Sequence, residues 1–211
     1  MEPRSKIILL GGGLDSTALL VHEVKQGTNL YGLFFDYGQK AVEGELKSIK
    51  YFCTKYDVPY KMVFVGIDKL ATCSILRGSK VGLNPKENIL EGRNAIFLTM
   101  AVTYACTKNI NEIIVGFHKE PENSQFEDAK QYFILEFNQL IKSYLRSPYD
   151  WRVNVDCPFK NLTRQQIINK AYKLDPEILT KSFTCYEGYE EECGVCVHCK
   201  LKIKMLRRLN L

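Results

Sequence analysis

The segment Lys6-Ile-Ile-Leu-Leu10 is a short apolar run closed by Gly11-Gly12-Gly13, and Asp15 to Val24 follows with a helical pattern. A buried strand, a glycine turn and a helix in that order constrain the fold more than any other feature of this chain. The alternation then continues. Asn29 to Phe35 reads as a second strand, Ala41 to Tyr56 as a helix and Tyr60 to Val65 as a third strand. Residues 66–91, which include Gly78, Gly82 and Pro85, read as a long loop. Asn94 to Thr107 is a mostly apolar helix and Glu112 to Gly116 a fourth strand. Phe133 to Leu145 is an amphipathic helix, with Phe133, Ile134, Phe137, Leu140 and Ile141 as its apolar side. Arg152 to Val155 makes a fifth strand, and Thr163 to Leu174 another helix. Strands alternating with helices predict an α/β fold, a parallel sheet of about five strands flanked by helices. One domain is expected over residues 1–175, followed by a small cysteine-bearing segment and a basic C-terminal helix over residues 176–211.

With 211 residues, the chain is long enough to bury a substantial core. Its 45% apolar and 25% charged residues exclude a disordered protein. No run of about 18 apolar residues occurs, so no membrane span is expected. Met1-Glu-Pro-Arg-Ser-Lys6 lacks the apolar core of a secretion signal, which points to a cytoplasmic protein. The net charge of +5 is unevenly placed. The last twelve residues hold Lys200, Lys202, Lys204, Arg207 and Arg208 and no acid, so the remainder is neutral. This tail is expected to be a solvated helix face, with Leu201, Ile203, Met205 and Leu206 available for packing. A phosphate-facing or tRNA-facing patch is the alternative.

Gly11-Gly-Gly-Leu-Asp-Ser-Thr17 can bring backbone amides and a helix N-terminus close to an anion. A Walker A loop requires a lysine that is absent here. A dinucleotide loop requires a third glycine where Ser16 stands, although Asp36 has the spacing of a ribose-binding acid. The pyrophosphatase pattern SGGxDS, found in enzymes that cut ATP between its α- and β-phosphates, is matched at Gly12, Gly13, Asp15 and Ser16. A glycine turn without a ligand is the remaining alternative. Asp15 would repel a bare pyrophosphate but suits one bridged by Mg²⁺. The expected ATP-binding set is therefore Gly11, Gly12, Gly13, Leu14, Asp15, Ser16, Thr17 and Asp36.

Cys185, Cys193, Cys196 and Cys199 crowd into fifteen residues. Four thiolates suit a closed tetrahedral site of the structural zinc type. A ferredoxin-type cluster would want a further cysteine where Ile203 stands. His198 is read as a bystander beside Cys199.

The glycine loop and the four-cysteine site together resemble the QueC family, the 7-cyano-7-deazaguanine synthases, over nearly the whole chain. Asp36-Tyr-Gly-Gln39, Gly92-Arg-Asn-Ala-Ile-Phe-Leu98, Thr184-Cys-Tyr-Glu-Gly188 and Cys193-Gly-x-Cys-x-x-Cys199 look like signatures of that family. The resemblance implies a fold of the adenine-nucleotide α-hydrolase (PP-loop) kind, structural Zn²⁺, Mg²⁺ with ATP, and a homodimer. It implies an ATP-dependent ligase that adenylates 7-carboxy-7-deazaguanine. Ammonia would attack the adenylate to give an amide, and a second ATP would drive dehydration to the nitrile, preQ0, in queuosine biosynthesis. Asp15, Ser16 and Arg93 are the expected catalytic residues. Tyr37, Gln39, Arg93, Asn94, Phe126 and Asp128 are the expected substrate contacts, Asp128 as acceptor for the guanine-like N–H edge.

The chain departs from the family at several points. Gly11 replaces a serine, Ala129 and Lys130 replace cysteine and arginine, Ala41 replaces a histidine, and Arg164-Gln-Gln166 replaces a Lys-x-Glu pair. These changes keep open a relative that joins the deazaguanine to another amine, such as a protein N-terminus in anti-phage defence. A tRNA-modifying adenylating enzyme and a non-enzymatic zinc knuckle that binds nucleic acid are the remaining readings.

Overall fold

The computed structural model describes residues 4–79, 89–119, 127–145, 152–188 and 191–208. Five strands form one parallel sheet: β1 (Ser5–Leu10), β2 (Asn29–Asp36), β3 (Tyr60–Phe64), β4 (Glu112–Ile114) and β5 (Asn154–Asp156), in the order β3-β2-β1-β4-β5. Around them lie α1 (Leu14–Lys25), α2 (Val42–Lys55), α3 (Arg93–Lys108), α4 (Gln131–Tyr144), α5 (Arg164–Leu174), α6 (Glu177–Lys181) and α7 (Val197–Arg207).

The sheet is buried on both faces, as a parallel sheet requires. Side chains alternate along each strand. Ile8, Phe34 and Ile114 face the layer containing Leu19, Phe52, Ile168 and Leu179. Their neighbours Ile7, Leu33, Phe35 and Ile113 face the opposite layer, with Leu98, Val102, Ile134 and Phe137. Ile7, Ile8, Ile113 and Ile114 have no exposed surface, so truncating any one to alanine should cost about 2–5 kcal/mol.

Local chemistry sets the element ends. Asn109 closes α3 in the left-handed conformation, which asparagine tolerates. Thr163 and Gln166 form a reciprocal capping box at the start of α5. That accounts for Gln166, since glutamine serves this motif as well as glutamate does. At the other end of α5, the Asp175 carboxylate accepts from Lys55 and from the Tyr56 hydroxyl, each at 2.7 Å.

Several expectations need correction. The fourth strand ends at Ile114, and the fifth runs from Asn154 to Asp156. A short helix, α6, precedes the cysteine cluster within the 176–211 segment. Leu140 is exposed rather than part of the apolar face of α4. The segment after β3 contains a 3₁₀ turn at Gly66–Lys69 and buries Cys73, Ile75 and Leu76, with Leu76 bridged to Gln39. In the tail, Lys202 is buried. Its Nζ donates to the Ser182 carbonyl at 2.8 Å and the Glu192 carboxylate at 2.9 Å. Met205 and Leu206 pack against the core, whereas Ile203 is exposed. No helix among the described residues is long and apolar enough to cross a membrane.

Candidate active site

The strand order reverses between β1 and β4: the chain first builds outward to β2 and β3, then returns to the other side of β1. In open parallel sheets a crevice opens beyond the strand ends at such a point. A cleft of about 550 Å³ lies there, walled by Gly11 to Ser16 without Gly12 and by Val115, Gly116 and Phe117 after β4. The approach is close: a Cβ on Gly116 would sit 3.1 Å from the Ser16 nitrogen.

The glycine loop is organised from within. The Ser16 hydroxyl donates to the Gly13 carbonyl and accepts from the Gly11 amide, each at 3.2 Å. Gly13 caps α1 without contributing a side chain, so the first-turn amides of the helix remain available to an anion. Gly12 has φ +65°, and a Cβ there would lie 2.5 Å from the Glu45 carbonyl oxygen. Its own carbonyl accepts from the Phe183 amide at 2.9 Å. Gly12 is thus required by the packing of α2 and the C-terminal segment around the loop, and it is not itself on the cleft wall.

Asp15 carries the charge at this end. Its Oδ2 lies 3.2 Å from the Arg164 guanidinium and 3.6 Å from His118 Nε2, while its buried Oδ1 has no hydrogen-bond partner among the described residues. Burial disfavours the carboxylate, but His118 and Arg164 outweigh it and hold its pKa below the usual range. The orphaned oxygen fits a hard cation, which prefers oxygen donors. Arg164 brings positive charge to the place where triphosphate charge would lie.

Elsewhere on the cleft wall, Arg93 donates to the Tyr37 hydroxyl at 2.9 Å, and its guanidinium lies over the Tyr37 and Phe97 rings. Burial opposes its charge, but the Tyr37, Tyr186 and Asp128 side chains hold its pKa above the ordinary value. Its buried Nε has no hydrogen-bond partner among the described residues. Gln39 is fixed by donating to the Phe35 carbonyl at 3.0 Å and accepting from the Tyr37 amide at 2.9 Å. It also donates to Glu45 Oε2 at 2.9 Å. Glu45 lies deep in the protein with part of its surface open to the cleft, and burial pushes its pKa up to about 7.

The cysteine segment closes the remaining side. The sulfurs of Cys185, Cys193, Cys196 and Cys199 lie within 4.8 Å of one another. The Cys193 and Cys199 sulfurs are 3.9 Å apart. Tetrahedral thiolates about 2.3 Å from a metal would be about 3.8 Å apart, so the cluster can hold a metal ion as it stands. Backbone amides of Cys193, Cys196 and Cys199 donate to the sulfurs of Cys185, Cys193 and Cys196, which fixes the positions of those sulfurs. The same segment sends Thr184, Tyr186 and His198 into the cleft, the last two with ring centroids 3.8 Å apart. Burial and the Arg164 charge press the His198 pKa down to about 4, so its imidazole is neutral.

Among the expected site residues, the cleft gathers Gly11, Gly13, Leu14, Asp15, Ser16, Tyr37, Gln39, Arg93 and Asn94. Thr17 is buried within α1, away from the wall. Asp36 accepts from Arg77 at 3.0 and 3.1 Å and from the Gly38 amide at 3.0 Å, also off the wall. Asp128 accepts from the Asn94 amide at 3.2 Å in the first turn of α3, and its side chain stands off the cleft wall. Lys130 pairs with Glu127, and Ala129 lines the wall. Phe126 lies outside the described residues. Sequence reasoning misses Glu45, His118, Arg164, Tyr186 and His198. Arg164 is noticed there only as a departure, Tyr186 only within the Thr184–Gly188 signature and His198 only as a bystander, while Glu45 and His118 carry no spacing that marks them before the sheet closes.

The model of the family "Queuosine biosynthesis protein QueC" matches residues 5–210. The 7-cyano-7-deazaguanine synthase of Acetivibrio thermocellus is 34% identical over 213 residues, spanning 99% of this chain and 95% of its own. That of Thermoplasma volcanium is 28% identical over 211 residues, spanning 96% of this chain and 86% of its own. Among solved structures, a 4-thiouridine synthetase in complex with RNA and ATP aligns with a TM-score of 0.54 at 17% identity, over 98% of this chain and 50% of that one. That last likeness is one of fold. With the family match spanning nearly its whole length, the chain belongs to the QueC family of queuosine biosynthesis proteins.

Proposed function

We propose that this protein is an ATP-dependent ligase that converts 7-carboxy-7-deazaguanine to 7-cyano-7-deazaguanine. The observation that carries the reading is the cleft at the strand reversal, whose wall brings together uncapped helix amides, Asp15, Arg164, Arg93 and Glu45. Family membership supplies the substrate class.

The substrate carboxylate attacks the α-phosphorus and pyrophosphate leaves. The loop amides and Arg164 hold the departing charge. Ammonia then attacks the acyl carbon, loses a proton and expels AMP, giving the amide. The amide oxygen then attacks the α-phosphorus of a second ATP and expels pyrophosphate; the nitrogen loses its protons as the C–O bond breaks, AMP carries the oxygen away, and the nitrile remains. No protein nucleophile is needed, because positioning and charge neutralisation supply the catalysis. Mg²⁺ bound with ATP would be met by Asp15, whose free Oδ1 suits it. Zn²⁺ fits the four sulfurs and would keep Thr184 and Tyr186 in the cleft wall. In this reading, residues 1–175 handle the nucleotide, residues 176–211 close the cleft, and the working assembly is a homodimer.

Incubation with MgATP, the acid and ammonium should yield AMP, pyrophosphate and a product with the mass of the nitrile. ADP as the nucleotide product, or no acid-dependent AMP, would reject the reading. Product joined to a larger amine would replace ammonia as the acceptor.

A further inference from the structure

Two acidic side chains line the cleft among the described residues, Asp15 and Glu45. Asp15 is occupied by Arg164 and His118. Glu45 has no ion-pair partner among the described residues. Its one hydrogen bond there comes from the Gln39 amide to Oε2 at 2.9 Å. Gln39 is itself buried and locked to the backbone at Phe35 and Tyr37, so it sets the orientation of the Glu45 carboxylate. An ionised carboxylate accepts about four hydrogen bonds, so most of its capacity is left for the cleft.

From this arrangement we infer that Glu45 is the specificity residue for the substrate's base, accepting the adjacent ring N–H and exocyclic amine of a guanine-like edge. The inference rests on the ligase reading above and assigns to Glu45 the role that the sequence suggests for Asp128. Burial leaves the ionised form of Glu45 poorly solvated, and a pair of N–H donors on one edge would supply the missing hydrogen bonds. An edge that presents an acceptor lone pair instead would meet the carboxylate unfavourably and be rejected. Arg93, whose field reaches Glu45, supplies the complementary cation on the same wall.

The test compares 7-carboxy-7-deazaguanine with the analogue that lacks the exocyclic amine, following acid-dependent pyrophosphate release. The wild type should prefer the amino compound by about 10–100-fold in kcat/KM. In Glu45→Gln that preference should fall to about threefold or less, with KM for ATP changed less than about twofold. Circular dichroism should show the variant folded. Wild-type preference retained in Glu45→Gln, or no preference in the wild type, overturns the assignment. Should the wild type form no AMP from either acid, the ligase reading falls on its own. Calorimetric titration with 7-deazaguanine then decides for Glu45: equal affinity in wild type and Glu45→Gln overturns it, and weaker binding by the variant sustains it.

Discussion

Arg164, the first residue of α5, donates to the Asp15 carboxylate at 3.2 Å and so ties α5 to the first turn of α1 across 149 positions of sequence. Both side chains line the cleft. Arg164→Ala should lower kcat/KM for ATP by about 100-fold, the scale of losing one aligned charge donor. Arg164→Lys should recover part of the loss, because a point charge replaces the planar fork. Since the pair acts as a unit, Arg164→Ala combined with Asp15→Asn should cost less than the product of the single losses. Pyrophosphate release against ATP concentration measures all four variants; independent, multiplying losses would show that the contact is not functional.

Gly11 and Gly12 should respond in opposite ways. A Cβ on Gly11 meets nothing closer than the Ser16 hydroxyl at 3.8 Å. Gly11→Ser therefore fits and restores a hydroxyl at the loop, so the melting temperature should hold within about 2 °C and KM for ATP should not rise. Gly12→Ala drives a Cβ into the Glu45 backbone at 2.5 Å and needs a left-handed φ, so it should destabilise by about 2–4 kcal/mol. Urea unfolding of both variants checks the contrast.

Local pattern explains why one part of this site can be read in advance and another cannot. The strand–glycine–helix join and the cysteine spacing are features of adjacent residues, so the five-strand parallel sheet and the metal cluster follow from them. Arg164 and His118 meet Asp15 only because β4 returns beside β1 and α5 packs against α1, a long-range consequence of the topology. Asp36 shows the converse error. Its place at a strand end suits a ribose contact, yet Arg77, from the connection after β3, neutralises it. The motif that points to Asp128 does not reveal that its carboxylate accepts from the Asn94 amide in the first turn of α3.

Metal removal should act on stability and on substrate binding together. The four sulfurs belong to the segment that carries Thr184 and Tyr186, and Lys202 with Glu192 fastens the same segment. One metal ion per chain is expected by elemental analysis. A strong chelator, or Cys196→Ser, should lower the melting temperature by about 10 °C or more and raise KM for the acid more than KM for ATP. Cys53 and Cys157, whose pKa values burial pushes up to about 12, should take no part in metal binding. An unchanged melting curve after complete metal loss would refute a structural role.

Glu45 gives the protein a defined pH dependence of stability. Its pKa stands at about 7 in the fold against 4.5 as the ordinary value, so between these limits the folded state binds more protons than the unfolded state. Stability from this group therefore falls as pH rises from about 4.5 to 7 and is flat above. The total is about 3 kcal/mol at 1.36 kcal/mol per unit. Asp175 works in the other direction. Burial raises its pKa, but Lys55 and Tyr56 outweigh that and hold it below the ordinary value, so its contribution is lost in acid. The difference between wild type and Glu45→Gln isolates Glu45 from such groups. The two proteins should be about equally stable near pH 4, and the variant should be more stable by about 3 kcal/mol at pH 8. Parallel stability curves across that range would show that Glu45 titrates as an ordinary solvated carboxylate.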